Sequence, residues 1–239
     1  SVKFWEGVAQ ANPALGMMVS REAIEESLST SSHESIMTEL LCCWVSSLQS
    51  PFPPNSIEDC SDSELQMVEG GYTVFGFDVA PNKRHASLCA GQMLPDGRIG
   101  VGILQTWTSQ VAIDDLKVAA DIKAFCDIYR PRQIMFDKYA TQTIADRLAN
   151  AGQVVEDCSG QQFYRACGDL LDSVVNHRLV HNGQKELIAQ FANVAAKVND
   201  SAWRIVKRKS AGDISAPISI AMIASKLMQP QQIAAIYSE

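Results

Sequence analysis

The sequence predicts an α/β protein with a mixed central sheet flanked by helices, and three observations carry that prediction. Residues 72–107 hold three apolar, β-rich segments joined by short connections. From residue 111 onward, amphipathic helical stretches alternate with short apolar strands. The run Ser50-Pro51-Phe52-Pro53-Pro54-Asn55 separates this region from a helical lead-in, because proline fixes φ and removes a backbone donor that regular elements need.

Residues up to about 50 read as mostly helical. Ser20 is placed to cap a helix from Arg21 to Leu28, with Glu22 and Ala23 in its first turn. A second helix is expected from Ser32 to Val45, where Ile36, Leu40, Leu41 and Trp44 share a face. The acidic, serine-containing stretch Ser56 to Glu69 ends at Gly70-Gly71 and reads as a linker or a strap across the surface. The expected organisation is therefore a helical lead-in and linker over 1–70 and a compact domain over 71–239.

Within that domain, Tyr72 to Val79 predicts a strand and Ala86 to Leu94 a second. The turn Pro95-Asp96-Gly97-Arg98 leads into a third from Ile99 to Trp107, which makes an antiparallel meander. An amphipathic helix over Val111 to Tyr129 carries Leu116, Ala119, Ala120, Ile122 and Phe125, and Pro131 closes it. A strand follows at Gln133 to Phe136, then a helix over Thr141 to Ala151 stopped by Gly152. A short strand at Gln153 to Asp157 precedes helices over Phe163 to Asn176 and Lys185 to Val198, which the turn-like Leu179-Val180-His181-Asn182-Gly183 separates. Trp203 to Val206 reads as a late strand and Ile214 to Met228 as the last helix. A meander extended by right-handed crossovers to parallel strands is the order of the RNase H-like fold. It brings the ends of the first and fourth strands side by side, and those ends are Asp78 and Asp137.

Bulk properties narrow the function. With 239 residues, 46% hydrophobic and 20% charged, the chain has a composition ordinary for a soluble globular protein. No apolar run approaches the roughly 18–20 residues needed to cross a bilayer, and a start at Ser1 rather than Met reads as a fragment. Seven cysteines, odd in number and without paired metal-binding spacing, point to a reduced core rather than a disulfide framework. A net charge of −7 argues against coating nucleic acid by global electrostatics, although local charge governs contact. Lys83 and Arg84 follow the first aspartate, Arg130, Arg132 and Lys138 surround the second, and Arg204, Lys207, Arg208 and Lys209 precede the third. There is no G-x-x-x-x-G-K-[ST] loop and no G-x-S-x-G elbow.

Asp78, Asp137 and Asp213, each at an element end, are the candidate catalytic and metal-ligating residues. In-line cleavage of a phosphodiester needs an activated water, charge neutralisation on the phosphate and stabilisation of the leaving oxygen. Two Mg²⁺ or Mn²⁺ ions supply all three, and carboxylate oxygens suit these hard ions. Asp137 and Asp213 also have an ordinary reading as helix caps. Asp78 lies inside an apolar strand, where an unpaired carboxylate is expensive. Lys83, Arg84, Lys138, Arg204, Lys207, Arg208 and Lys209 are the candidate DNA contacts. His85 follows the first strand closely and is a weaker candidate for reaching a scissile phosphate, reading more simply as a surface loop residue; His181 reads as an exposed turn, and Asp169 and Asp172 as solvated helix residues.

Two stretches together resemble the C-terminal nuclease portion of the large terminase subunit of tailed bacteriophages, the DNA-packaging motor protein. One is Ala11-Asn12-Pro13-Ala14-Leu15-Gly16 with Glu39-Leu40-Leu41-Cys42-Cys43-Trp44 downstream. The other is Gly76-Phe77-Asp78-Val79-Ala80, then Ile134-Met135-Phe136-Asp137, then Gly212-Asp213-Ile214 running into an alanine-rich helix. The resemblance implies a Mg²⁺- or Mn²⁺-dependent endonuclease that cuts concatemeric double-stranded viral DNA in the host cytoplasm, with the three aspartates as its acidic triad. It implies an ATPase part preceding the lead-in, and the small terminase subunit, the portal and the procapsid as partners; the piece alone is expected to be monomeric. Another RNase H-like nuclease, of resolvase or transposase type, and a non-catalytic RNase H-like docking domain remain as alternatives.

Overall fold

The structure, a computed structural model, describes residues 2–30, 50–199, 202–207, 210 and 212–229. It divides into two units, residues 1–49 and 50–239. In the first, α1 (Val2–Ala11) and α2 (Arg21–Thr30) are helical. Ser20 caps α2 as its sequence suggests, its hydroxyl accepting the Ala23 amide at 3.2 Å. The helix expected over 32–45, and with it Trp44, Cys42 and Cys43, lies outside the described residues.

The second unit is built on a six-stranded sheet of β1 (Thr73–Val79), β2 (His85–Met93), β3 (Ile99–Thr108), β4 (Gln133–Phe136), β5 (Val155–Asp157) and β6 (Leu179–His181). The strand order is β5-β4-β1-β2-β3-β6. β1, β2 and β3 form the antiparallel meander, while β4 joins β1, β5 joins β4 and β6 joins β3 in parallel. This is the mixed sheet of the RNase H-like fold.

Helices cover both faces: α3 (Asp115–Tyr129), α4 (Lys138–Asn150), α5 (Gln161–Val175), α6 (Lys185–Ala192) and α7 (Ser215–Met228). Alternation along the strands assigns each side chain to a face. Phe75, Phe77, Val79, Ile134 and Phe136 join a core with α3 and α4. Val74, Cys89 and Met135 join the other, with α5, α6 and α7. Asp78 is in step with Val74 and Gly76, so it belongs to the α7 face.

α7 sits unusually close to the sheet. A Cβ at Gly76 would stand 2.7 Å from the Ser219 carbonyl oxygen, and one at Gly91 2.4 Å from Ile223 Cγ2. Glycine at these two positions lets a largely buried helix lie against the two central strands, which brings its N-terminus to the end of β1. The stretch before Tyr72 is a strap bound to this unit. Phe52, Ile57 and Cys60 enter the core, Asp62 N donates to the His181 carbonyl at 2.8 Å, and Gln92 binds both backbone groups of Val68.

Two segments differ from expectation. Leu179 to His181 is a strand rather than a turn, because it completes the sheet beside Ile99 to Val101. His181 is accordingly buried, not exposed: its Nδ1 accepts the Gly183 amide at 3.1 Å and its Nε2 meets the Ile57 carbonyl at 2.8 Å. The helix expected over 185–198 ends at Ala192, and β7 (Ala196–Asn199) pairs with β8 (Ala202–Ile205) in a separate hairpin.

Candidate metal centre

The β1–β4 register explains why two carboxylates meet. Val74 pairs with Gln133 and Gly76 with Met135; carried two residues further, the same register sets Asp137 beside Asp78. Both lie past apolar positions at the same sheet edge, and both are buried, Asp78 completely. Asp137 is also the N-cap of α4, accepting the Tyr139 amide at 3.3 Å. Capping and site roles coincide in one side chain.

Lys207, just beyond β8, stands between the two. Its Nζ is 2.6 Å from Asp78 Oδ1 and 3.5 Å from Asp137 Oδ2. Burial pushes the Asp78 carboxyl up to about 6, against the pull of Lys207 and with a smaller push from Asp137. Burial also works against the Lys207 ammonium, but the two carboxylates outweigh it and raise its pKa. The other Asp78 oxygen, Oδ2, is buried without a hydrogen-bond partner, a costly state for a carboxylate.

Asp213, two residues before α7, lines a cleft together with Asp78 and Lys207. Asp78, Asn82, His85, Lys207, Ser210 and Asp213 are among the residues lining one cleft of about 360 Å³. Neutral groups hold Asp213: Oδ1 accepts the Ser215 amide and Oδ2 the Ser215 hydroxyl, each at 3.0 Å. Ser215 Oγ lies 2.7 Å from Ser87 Oγ, to which Gln190 Nε2 donates at 3.3 Å. Gln190 Oε1 in turn accepts the Ala216 amide at 2.8 Å. With Ser215 donating to the carboxylate, the buried chain runs Gln190 to Ser87 to Ser215 to Asp213. Asn193 Nδ2 holds the Asp213 carbonyl at 3.2 Å.

Hard oxygen donors, a buried carboxylate oxygen without a partner and a cationic group already between two carboxylates fit a divalent cation. The fit is not a finished cage. Among the described residues no three His, Cys, Asp or Glu side chains are grouped closely enough to hold a metal ion. Asp78 and Asp137 share one cationic partner, and Asp213 faces the cleft from its own hydrogen bonds. A larger cavity, about 1030 Å³, opens beside Thr73 and Gln92 at the opposite end of β1, apart from the carboxylates.

Among the candidate DNA contacts, Arg84 is exposed on the loop that leads to the cleft. Lys83 pairs with Asp115 at 2.8 Å and Lys138 with Asp157 at 3.4 Å. Arg204 lies over the Tyr164 ring, and Lys207 is turned into the carboxylates. Arg208 and Lys209 lie outside the described residues. His85 lines the cleft; Asp169 accepts from Ser225 and Asp172 pairs with Arg178, both away from it. Cys60, Cys89, Cys126, Cys158 and Cys167 are buried, and burial raises every one of these thiols, so none is a ready nucleophile.

An RNase H-like domain with an acidic cleft at the joint end of its first and fourth strands is the class of protein that fold and site define. Solved structures narrow it to the fold of phage large terminases. The HK97 bacteriophage large terminase superposes with a TM-score of 0.63 at 19% identity, covering 93% of this chain and 54% of its own. The large terminase nuclease of thermophilic phage G20c with bound magnesium gives 0.52 at 14% identity, covering 64% and 80%. The large terminase nuclease domain of Thermus phage P74-26 gives 0.52 at 13%, covering 68% and 83%. The terminase resemblance of the sequence is thus borne out in the fold. This chain spans about half the length of the HK97 protein. No family model matches the sequence, and no curated protein does.

Proposed function

We propose that this chain is a divalent-metal-dependent endonuclease that cuts concatemeric double-stranded viral DNA during genome packaging, with Asp78, Asp137 and Asp213 as its acidic residues. The observation that carries the reading is the Asp78–Lys207–Asp137 arrangement, in which two buried carboxylates share one cationic partner and one carboxylate oxygen has none. The terminase neighbours, one of them a nuclease with bound magnesium, support the same reading.

Asp78 and Asp137 would hold Mg²⁺ or Mn²⁺ on the strand side, and Asp213 would complete the donor set from α7. When bound, such ions activate a water and neutralise charge on the phosphate and the leaving oxygen, a task shared between two ions in a two-metal site. The chain's own part is orientation. The β1–β4 register aims two carboxylates at one point, and the Ser215 amide and hydroxyl fix the third. Arg84, on the loop that lines the cleft, would contact phosphates, and Lys83, Lys138, Arg204, Arg208 and Lys209 are proposed as further contacts, which would position DNA without reading its sequence. Lys207 belongs to the carboxylates first.

Residues 1–70 are proposed as the lead-in from an ATPase part, as in a large terminase, although 50–69 pack on the nuclease unit. The small terminase subunit, portal and procapsid are the proposed partners, and the host cytoplasm the proposed location. Among the described residues no helix is long and apolar enough to cross a membrane.

The test is nicking of supercoiled plasmid by the native chain and by Asp78→Ala in Mn²⁺, Mg²⁺ or EDTA. Metal-dependent nicking that disappears in the variant is the expected result. Absence of nicking, together with no rise in melting temperature on adding Mn²⁺, would favour a non-catalytic docking domain.

A further inference from the structure

We propose that Lys207 is an internal counter-ion that occupies the cation position of Asp78 and Asp137 until a divalent ion displaces it, so that metal loading and departure of the lysine are one coupled event. This rests on the nuclease reading above and goes beyond it, because it gives the metal-free protein a defined state.

Lys207 Nζ sits 2.6 Å from one carboxylate and 3.5 Å from the other, with only 18% of its side chain exposed. Two carboxylates converging on a buried point repel each other, and one ammonium offsets that repulsion only in part. It leaves Asp78 Oδ2 without any partner. A divalent ion carries twice the charge and takes several oxygen ligands at once, so it satisfies the pair better than the lysine. Both cations cannot share the position, since like charges at such separations repel strongly in a partly buried site. The lysine has somewhere to go. It lies outside the strands, and the cleft it lines with Ser210 and Asp213 gives its flexible four-carbon stem room to swing into water.

The first arm uses Lys207→Met, which keeps the apolar stem and removes the charge. Mn²⁺ is titrated calorimetrically into the native chain and the variant; at least about tenfold tighter binding by the variant is expected, within the range by which groups around metal ligands shift affinity. The second arm needs no variant. Acetic anhydride labels lysines in the native chain in EDTA and in saturating Mn²⁺, and peptide mass spectrometry reads Lys207. Labelling of Lys207 several-fold faster with Mn²⁺ is expected, with the exposed Lys117 unchanged as the reference. Mn²⁺ that binds while Lys207 labelling stays as slow as in EDTA overturns the counter-ion role and leaves the nuclease reading standing; so does equal or weaker Mn²⁺ affinity in Lys207→Met. Mn²⁺ that binds neither protein overturns the metal site itself. If the variant does not fold, the labelling result decides alone.

Discussion

Asp78 and Asp213 line one cleft from different elements and are held by opposite means. Asp78, fully buried at the end of β1, is matched by charge: the Lys207 ammonium contacts one oxygen and the other has no hydrogen-bond partner. Asp213, at the entrance to α7, is matched by neutral donors, the Ser215 amide and hydroxyl. An ionic partner cancels charge and is exchangeable for another cation. Neutral donors fix position and leave the negative charge in place. On the proposed reading, one side of the cleft trades partners and the other stays where it is.

The largest effect expected from this difference is on stability without metal. Lys207→Met leaves Asp78 and Asp137 together without a counter-charge, and breaking a buried pair by removing one member costs about 3 kcal/mol or more. Urea unfolding at pH 8 in EDTA measures it, and Mn²⁺ restores most of the loss. A loss well under 1 kcal/mol would mean that the ion pair is incidental and the comparison fails.

Next is a change that strikes both sides at once. Gly76 lies two residues before Asp78 and against the Ser219 carbonyl, one turn into α7 from Ser215. Gly76→Val inserts a branched side chain where a backbone atom already stands. Overpacking of this kind costs about 1–3 kcal/mol, and lifting α7 would draw Asp213 away from Asp78. Urea unfolding and plasmid nicking should fall together; nicking that survives intact would mean that the approach of α7 does not set the cleft.

How much of this was legible in the residues depends on what fixes each part. Asp78 and Asp137 were readable because the short apolar, β-rich runs Thr73–Val79 and Gln133–Phe136 read locally as buried strands, and topology then joins their ends. The strand at Leu179 to His181 was not, since three residues before Asn182-Gly183 look like a turn until β3 is found beside them. β8 was expected as the late strand Trp203 to Val206, but its partner β7 was hidden because Ala195, Ala196 and Val198 continue a helical pattern that only the pairing interrupts. Lys207 was read as a phosphate contact; its partnership with a residue 129 positions away is a fact of packing. Gln190, Ser87 and Ser215 escaped notice altogether. Uncharged and scattered, they gain meaning only as a buried chain behind Asp213.

That chain gives the third prediction. Ser215→Ala removes the hydroxyl that binds Asp213 and leaves buried Ser87 without this partner, so a loss of about 1 kcal/mol is expected. Nicking should fall by about 10–100-fold, the usual consequence of freeing a ligand from its supporting hydrogen bonds, with the amide at position 215 still present. Initial nicking rates in saturating Mn²⁺ check it. An unchanged rate would show that the backbone amide alone positions Asp213.

The smallest effect on stability falls on Asp213→Asn, and it separates position from charge. Asparagine serves almost as well as aspartate at the start of a helix, and an amide oxygen still accepts from the Ser215 amide or hydroxyl. What is lost is a favourable charge at the helix N-terminus, a few tenths of a kcal/mol to about 1 kcal/mol. The folded protein should be nearly unchanged in urea, while metal-dependent nicking falls close to background because one anionic donor has gone. Lys207 should be labelled as in the native chain in EDTA, since its partners are on the other side of the cleft. A variant that nicks normally would confine Asp213 to holding the turn that opens α7, and the acidic site to the two carboxylates that share the lysine.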